Sequence, residues 1–129
     1  MKFACLVYID PARIAAMTPA QGQKLIDDTI EEDWALRRSG RLILAQPLAE
    51  PGEAVTIRIR NGSLASTDGP FAETKEHLGG FFLIEAADIG EAREIAATSA
   101  ILPYGSIEIR PFLEQTHSAT GEGRPPAKV

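Results

Sequence analysis

The sequence predicts an α+β fold in which two helices pack on one face of a split β-α-β sheet, with a β-hairpin inserted midway. Three observations carry that prediction. Strand-length apolar or alternating segments bracket two capped helical segments, in the order β-α-β-(hairpin)-β-α-β. An Asn-Gly pair sits between two of the strand segments, the strongest short hairpin signal. Only two helices accompany the strands, too few for a doubly wound parallel sheet.

The elements follow in order. Phe3 to Ile9 is one unbroken apolar run, the pattern of a strand covered on both faces or of a central one. Asp10-Pro11 breaks it. Thr18-Pro19-Ala20-Gln21 opens a helix with a capping threonine, a first-turn proline and a capping-box glutamine. That helix runs to about Ser39 and stops at Gly40. Leu25, Ile26, Ile30, Trp34 and Leu36 fall within one broad arc of it. Leu42 to Ala45 is a short strand ending around Pro47, and Glu50 to Glu53 is a loop.

From Ala54 to Arg60, Val55, Ile57 and Ile59 alternate with Thr56, Arg58 and Arg60. Asn61-Gly62 turns the chain, and Ser63 to Thr67 returns. Gly79-Gly80 permits a bulge or a close backbone approach before the buried-type strand Phe81 to Ile84. Asp88 and Glu91 form a second capping box, opening a helix with Ile89, Ala92, Ile95, Ala96 and Ser99 near one face. Ser106 to Arg110 is the last strand, stopped by Pro111. Residues 1–113 make one domain, and 114–129 read as a flexible tail rich in Gly, Pro, Ser, Thr and charge.

This element order suits a ferredoxin-like sheet, with helices on one face and an apolar open face that needs a partner. Val55, Ile57, Ile59, Phe81, Leu83, Ile107 and Ile109 are the candidate facing residues. The expectation is a homodimer through its sheet faces, burying about 1,600 Å².

Composition removes several function classes. The net charge of −5 leaves no basic stripe for nucleic acid. The apolar runs are too short to span a bilayer, and the first ten residues lack the apolar core and cleavage site of a signal peptide. One cysteine, Cys5, cannot form an internal disulfide, so a cytoplasmic location fits best. One Cys and two His supply no Cys/His metal cluster. No metal and no cofactor are expected.

The most distinctive segment runs from Thr67 to Phe81, with Asp68-Gly69-Pro70-Phe71-Ala72-Glu73-Thr74-Lys75 at its core. Asp68 can bond its own backbone in an Asx turn. Gly69 tolerates positive φ, and Pro70 fixes the next φ. With the strand Lys2 to Asp10, the helix ending at Gly40, the Asn-Gly hairpin and the closing segment Tyr104 to Pro111, this stretch resembles the DGPF-domain branch of the YCII-related family. The resemblance spans about residues 1–113. It implies a ferredoxin-like domain paired as a dimeric α/β barrel. Most such relatives have no assigned reaction, and many look like companions of alternative sigma factors. One relative of this fold is a dehydrochlorinase of chlorinated hydroxyquinols. Others carry a His–Asp pair, whereas this chain has only His77 and His117 and no histidine in its first helix.

Each candidate residue has a chemical and a structural reading. Asp68 is a general base or ligand anchor, or a turn former. Glu73, Thr74 and Lys75 rim an anionic or aromatic pocket, or form a solvated helical turn. Phe71 packs inward and anchors the segment. Asp33 and Arg37, spaced i,i+4 within the arc of Ile26, Ile30 and Trp34, form an acid–base candidate or a structural ion pair. His77 is a general acid/base or a solvated loop residue. Tyr8 and Tyr104 are core aromatics with hydroxyls at a cavity edge, Cys5 is packing, and Trp34 is core or interface.

Three functions compete on these residues. The first is a small-molecule binding protein with its pocket under the DGPF loop, in a sigma-factor circuit. The second is a cofactor-free lyase or dehydrochlorinase using a carboxylate base. The third is an interaction dimer without ligand.

Overall fold

The structure, a computed structural model, describes residues 1–128. Its elements are β1 (Lys2–Ile9), α1 (Pro11–Ala15), α2 (Pro19–Arg38), β2 (Leu42–Pro47), β3 (Val55–Arg60), β4 (Ser63–Asp68), β5 (His77–Glu85), α3 (Ile89–Ala97) and β6 (Gly105–Pro111). Four strands form one antiparallel sheet in the order β2-β5-β1-β6. β5 lies between β1 and β2, which is the split β-α-β arrangement. The mixed α+β architecture is as expected.

The local signals hold where chemistry fixes them. Thr18 accepts from the Gln21 N–H at 3.2 Å, and the Gln21 side chain accepts from the Thr18 N–H at 2.9 Å. α2 stops where Gly40 takes φ +77. Asp88 accepts from the Glu91 N–H at 2.9 Å and starts α3, but the expected capping box is only half made, because the Glu91 carboxylate pairs with Arg41 at 3.3 Å. The Asp10-Pro11 pair does more than break the first strand. Asp10 accepts from the Ala12 N–H at 3.0 Å, and Pro11 begins the short helix α1, which the sequence reading missed.

The sheet separates the two faces of β1. Phe3, Cys5 and Val7 are buried, opposite Ile84, Phe82 and Gly80 of β5. Leu36 of α2 and Ala92 and Ile95 of α3 pack onto this face. The other face shows Ala4, Leu6 and Tyr8 of β1, Phe81 and Leu83 of β5, and Leu44 of β2, with no helix over it. Between Val7 and Tyr8 the pairing slips by one residue, leaving Gly79 as a bulge. A Cβ at Gly79 would run into the Ile9 side chain, so a larger residue fits here only if Ile9 moves aside.

The facing residues need two corrections. Ile107 and Ile109 pair with Val7 and Cys5 and therefore look toward the helices. Val55, Ile57 and Ile59 do not belong to this sheet. β3 and β4 bond only to each other, as a separate two-stranded ribbon. Asn61 and Gly62 take φ +52 and +80 at its tip, as the Asn-Gly turn requires. Alternation along β3 correctly gave a strand, but it carries no information about which sheet the strand joins.

Beyond Pro111 the described chain forms no helix or strand. It makes a turn in which the Gly121 N–H donates to the His117 carbonyl at 2.9 Å. The last residue of the expected 114–129 tail lies outside the described residues.

Candidate functional site

A groove of about 1240 Å³ opens on the helix side of the sheet. Val7, Ile9, Gly80 and Phe82 make its floor, while Thr29, Asp33, Trp34 and Arg37 of α2 make one wall. Ile14 and Met17 close one end. The floor is apolar because alternate residues of a covered sheet face are apolar. α2 puts polar groups into it because the helix is rolled: Leu25 and Leu36 line the groove together with Thr29 and Asp33.

Asp33 has no hydrogen-bond or ion-pair partner among the described residues. Its carboxyl is held above the usual carboxylate range, first by burial and then by the neighbouring Glu32 charge. Glu32 is engaged elsewhere. It accepts from the Ala100 N–H at 2.8 Å and from the Ser99 hydroxyl at 3.5 Å, tying α2 to the segment after α3.

The expected pairing of Asp33 with Arg37 does not form. Arg37 donates instead to the Ile43 carbonyl at 3.1 Å, because the start of β2 offers an acceptor at the end of its reach. Its remaining N–H groups have no hydrogen-bond partner among the described residues. The groove therefore joins an acceptor, Asp33, and a donor, Arg37, one helical turn apart over an apolar floor.

The DGPF segment lies elsewhere, and three expectations for it fail. Phe71 is 80% exposed rather than packed inward, with the Arg58 guanidinium 5.5 Å from its ring centre. None of residues 68–75 lines the groove. Asp68 is exposed at the end of β4, and its side chain makes no Asx turn. The turn closes through Gly69, whose N–H donates to the Ala54 carbonyl at 2.7 Å and whose carbonyl accepts from the Thr56 hydroxyl at 2.9 Å. Glu73, Thr74 and Lys75 are exposed, and the Thr74 hydroxyl donates to the Glu76 carbonyl. The segment is built as the root of the ribbon.

His77, half-buried, stands opposite Ile9 at the start of β5 and does not line the groove. Tyr8 points to the open face, where its hydroxyl donates to Glu108 at 3.4 Å. Cys5 is fully buried, and burial pushes its thiol up to about 12, so it stays neutral packing. The structure thus brings together Asp33 and Arg37 and separates them from Asp68, His77, Tyr8 and the Phe71–Lys75 cluster. Glu32 was not singled out from the sequence. The available signal was its place on the helix beside Leu25 and Leu36, an acid on the core side that needs a donor.

Among the described residues no group of three or more His, Cys, Asp or Glu gathers as a metal site. Among the described residues no helix is long and apolar enough to cross a membrane.

The chain is similar to known proteins in sequence and in shape. It is 34% identical over 114 residues to an uncharacterised protein of Rhizobium meliloti (strain 1021), across 87% of this chain and 92% of that one. It is also similar to the 5-chloro-2-hydroxyhydroquinone dehydrochlorinase of Burkholderia phenoliruptrix AC1100, solved with 2,5-dihydroxybenzoquinone. That likeness has a TM-score of 0.47 and 13% identity, over 89% of this chain and 96% of that one. A likeness at this level says nothing about the reaction. The family model of the YCII-related domain matches residues 1–116, and the chain belongs to that family.

Proposed function

We propose that this protein, a YCII-related domain of the DGPF branch, binds a small apolar molecule in the groove between α2 and the sheet. The observation that carries the reading is Asp33, a half-buried carboxyl without a partner among the described residues, on the wall of an apolar cleft. Such sites combine an apolar lining with a few convergent polar groups. Asp33 accepts a hydrogen bond and the free N–H groups of Arg37 donate one, so the ligand class is an apolar body with a hydroxyl and a second oxygen. Trp34 and Phe82 supply apolar contact for the body.

The test uses Trp34, the only tryptophan in the chain. Its emission is followed while phenol, benzoate, 4-hydroxybenzoate and anilinonaphthalene sulfonate are titrated in turn. Saturable quenching that weakens at least tenfold in Asp33→Asn and is unchanged in Lys75→Ala is expected. Linear, unsaturable quenching by all four probes defeats the proposal.

The raised affinity of Asp33 for its proton favours a second reading, in which the same carboxyl is a general base of a cofactor-free lyase. Consumption of a bound probe, with a rate that rises as Asp33 loses its proton and vanishes in Asp33→Asn, separates catalysis from binding.

A further inference from the structure

The polar groups that line the groove are not spread evenly along it. Most of them are already committed. Thr18 caps α2, the Thr29 hydroxyl donates to the Ile26 carbonyl at 2.9 Å, and the Thr98 hydroxyl donates to the Ile95 carbonyl at 2.9 Å. Glu32 holds Ser99 and Ala100. Gln46 has the parity of Leu44 on β2, which faces the open side of the sheet. Asp33 and Arg37 are left with bonding capacity among the described lining residues, and both stand near the C-terminal end of α2.

The other end is aliphatic. Val7, Ile9, Ile14, Met17, Leu25 and Ile26 line it, and Ile14 and Met17 close it. The aromatic side chains Trp34 and Phe82 belong to the Asp33 end. The groove is therefore polar at one end, apolar at the other and closed behind the apolar part.

It is also long. From Gly22 to Asp33 is about 16 Å of helix. On the floor, Ile9 stands opposite His77, and from there to Phe82 is about 17 Å of strand. A single substituted ring reaches less than half as far. The volume of about 1240 Å³ likewise exceeds the roughly 300–1,000 Å³ of compact small-molecule sites. In an unbranched carbon chain each bond advances about 1.25 Å, so about ten to twelve carbons beyond the head span the apolar part once the side chains at its ends are allowed for.

The head must suit Asp33 and Arg37 together. A hydroxyl donates to the Asp33 carboxylate, and a carbonyl oxygen one or two carbons away accepts from Arg37, one helical turn along. A carboxylate head would add a negative charge beside Asp33 and Glu32, in a chain of net charge −5. The head is therefore neutral, an ester or an amide.

We propose that the groove holds a neutral single-chain hydroxyacyl compound, with its hydroxyl and carbonyl on Asp33 and Arg37 and its alkyl tail running along α2 to Ile14 and Met17. The inference rests on the groove being a ligand site, as proposed above, and adds the shape and polarity of the ligand.

The test titrates methyl 3-hydroxyalkanoates of eight to sixteen carbons, each below its micelle-forming concentration, against Trp34 emission of the whole chain. Affinity rises about two- to fourfold per added methylene and levels off near fourteen carbons, where the tail meets Met17. Met17→Asp weakens the fourteen-carbon ester at least tenfold and leaves the eight-carbon ester unchanged, which also shows that the variant is folded. Ile14→Asn is read in the same way. Methyl tetradecanoate, without the hydroxyl, and free 3-hydroxytetradecanoate, with a charged head, each bind at least tenfold more weakly than the matching ester. Affinity independent of chain length overturns the proposal, and so does a rise with length that Met17→Asp and Ile14→Asn leave intact. Equal binding of the compound without the hydroxyl overturns the assignment of the head to Asp33, and equal binding of the free acid overturns its neutrality. The aromatic probes of the preceding section decide separately whether the groove is a site at all. Saturable binding of those probes, with no dependence on chain length among the esters, removes this inference and leaves that reading standing.

Discussion

Glu32 holds the backbone N–H of Ala100 at 2.8 Å, so a carboxylate in the middle of α2 fixes the segment that follows α3. A hydrogen bond to a charged group of this kind contributes about 1.5–3 kcal/mol. Glu32→Ala removes it and leaves a part-buried N–H without a partner. Its chemical denaturation curve should show a loss of about that size. The same variant lowers the affinity of Asp33 for its proton, because the like charge beside it is gone. An NMR titration of the Asp33 carboxyl reads that change directly.

Asp33 also makes stability depend on pH. Its carboxyl binds a proton more tightly in the folded chain than its ordinary value of 3.8 implies. The folded state is therefore favoured below the unfolded value, and that advantage is lost as pH rises through the folded value. Asp33→Asn removes the loss. Thermal melts should show the variant more stable than the wild type at pH 7, with the gap closing as pH falls through the raised folded value and gone by 3.8.

Two phenylalanines separate core from surface. Phe3 is fully buried, and Phe3→Ala should cost about 3–5 kcal/mol. Phe71 stacks only under Arg58 in the open, and Phe71→Ala should cost under about 1 kcal/mol. Urea unfolding of the two variants side by side checks the contrast. A large loss at Phe71 returns the DGPF segment to the core.

The ribbon tip is testable on its own. Gly62 sits at φ +80, where a β-branched residue is strained, so Gly62→Val should cost the ribbon about 1–3 kcal/mol. A two-stranded ribbon is marginal by itself. Amide exchange should therefore speed up along β3 and β4 while the amides of β1 keep their protection.

Much of this architecture was legible in the residues. Thr18, Pro19, Gln21 and Gly40 bound α2, and Asn61-Gly62 turns the ribbon, because capping and turn chemistry act over three or four residues. The partnership of β3 was not legible, since alternation says that one face is apolar and not what covers it. The site was half legible. Asp33 and Arg37 were marked by their place on the helical arc, but the acceptor at Ile43 that diverts Arg37 belongs to another element. Phe71 misled because an aromatic next to Gly-Pro reads as an anchor, and only the tertiary arrangement shows it lying in the open under Arg58.

The Leu48 N–H donates to the Gly79 carbonyl at 2.9 Å, where the chain leaves β2 and rejoins β5. The excursion between them closes on its own root, and β2 and β5 pair directly with each other beneath it. Everything from Ala49 to Lys75 is thus a graft on a sheet already complete. Evolution, or an engineer, can lengthen it, trim it to a tight turn or exchange it for another family member's without moving a residue of the core. Loop closure of this kind costs little more for a long insert than for a short one. Variety within the family can accumulate in this insert while the sheet beneath stays the same.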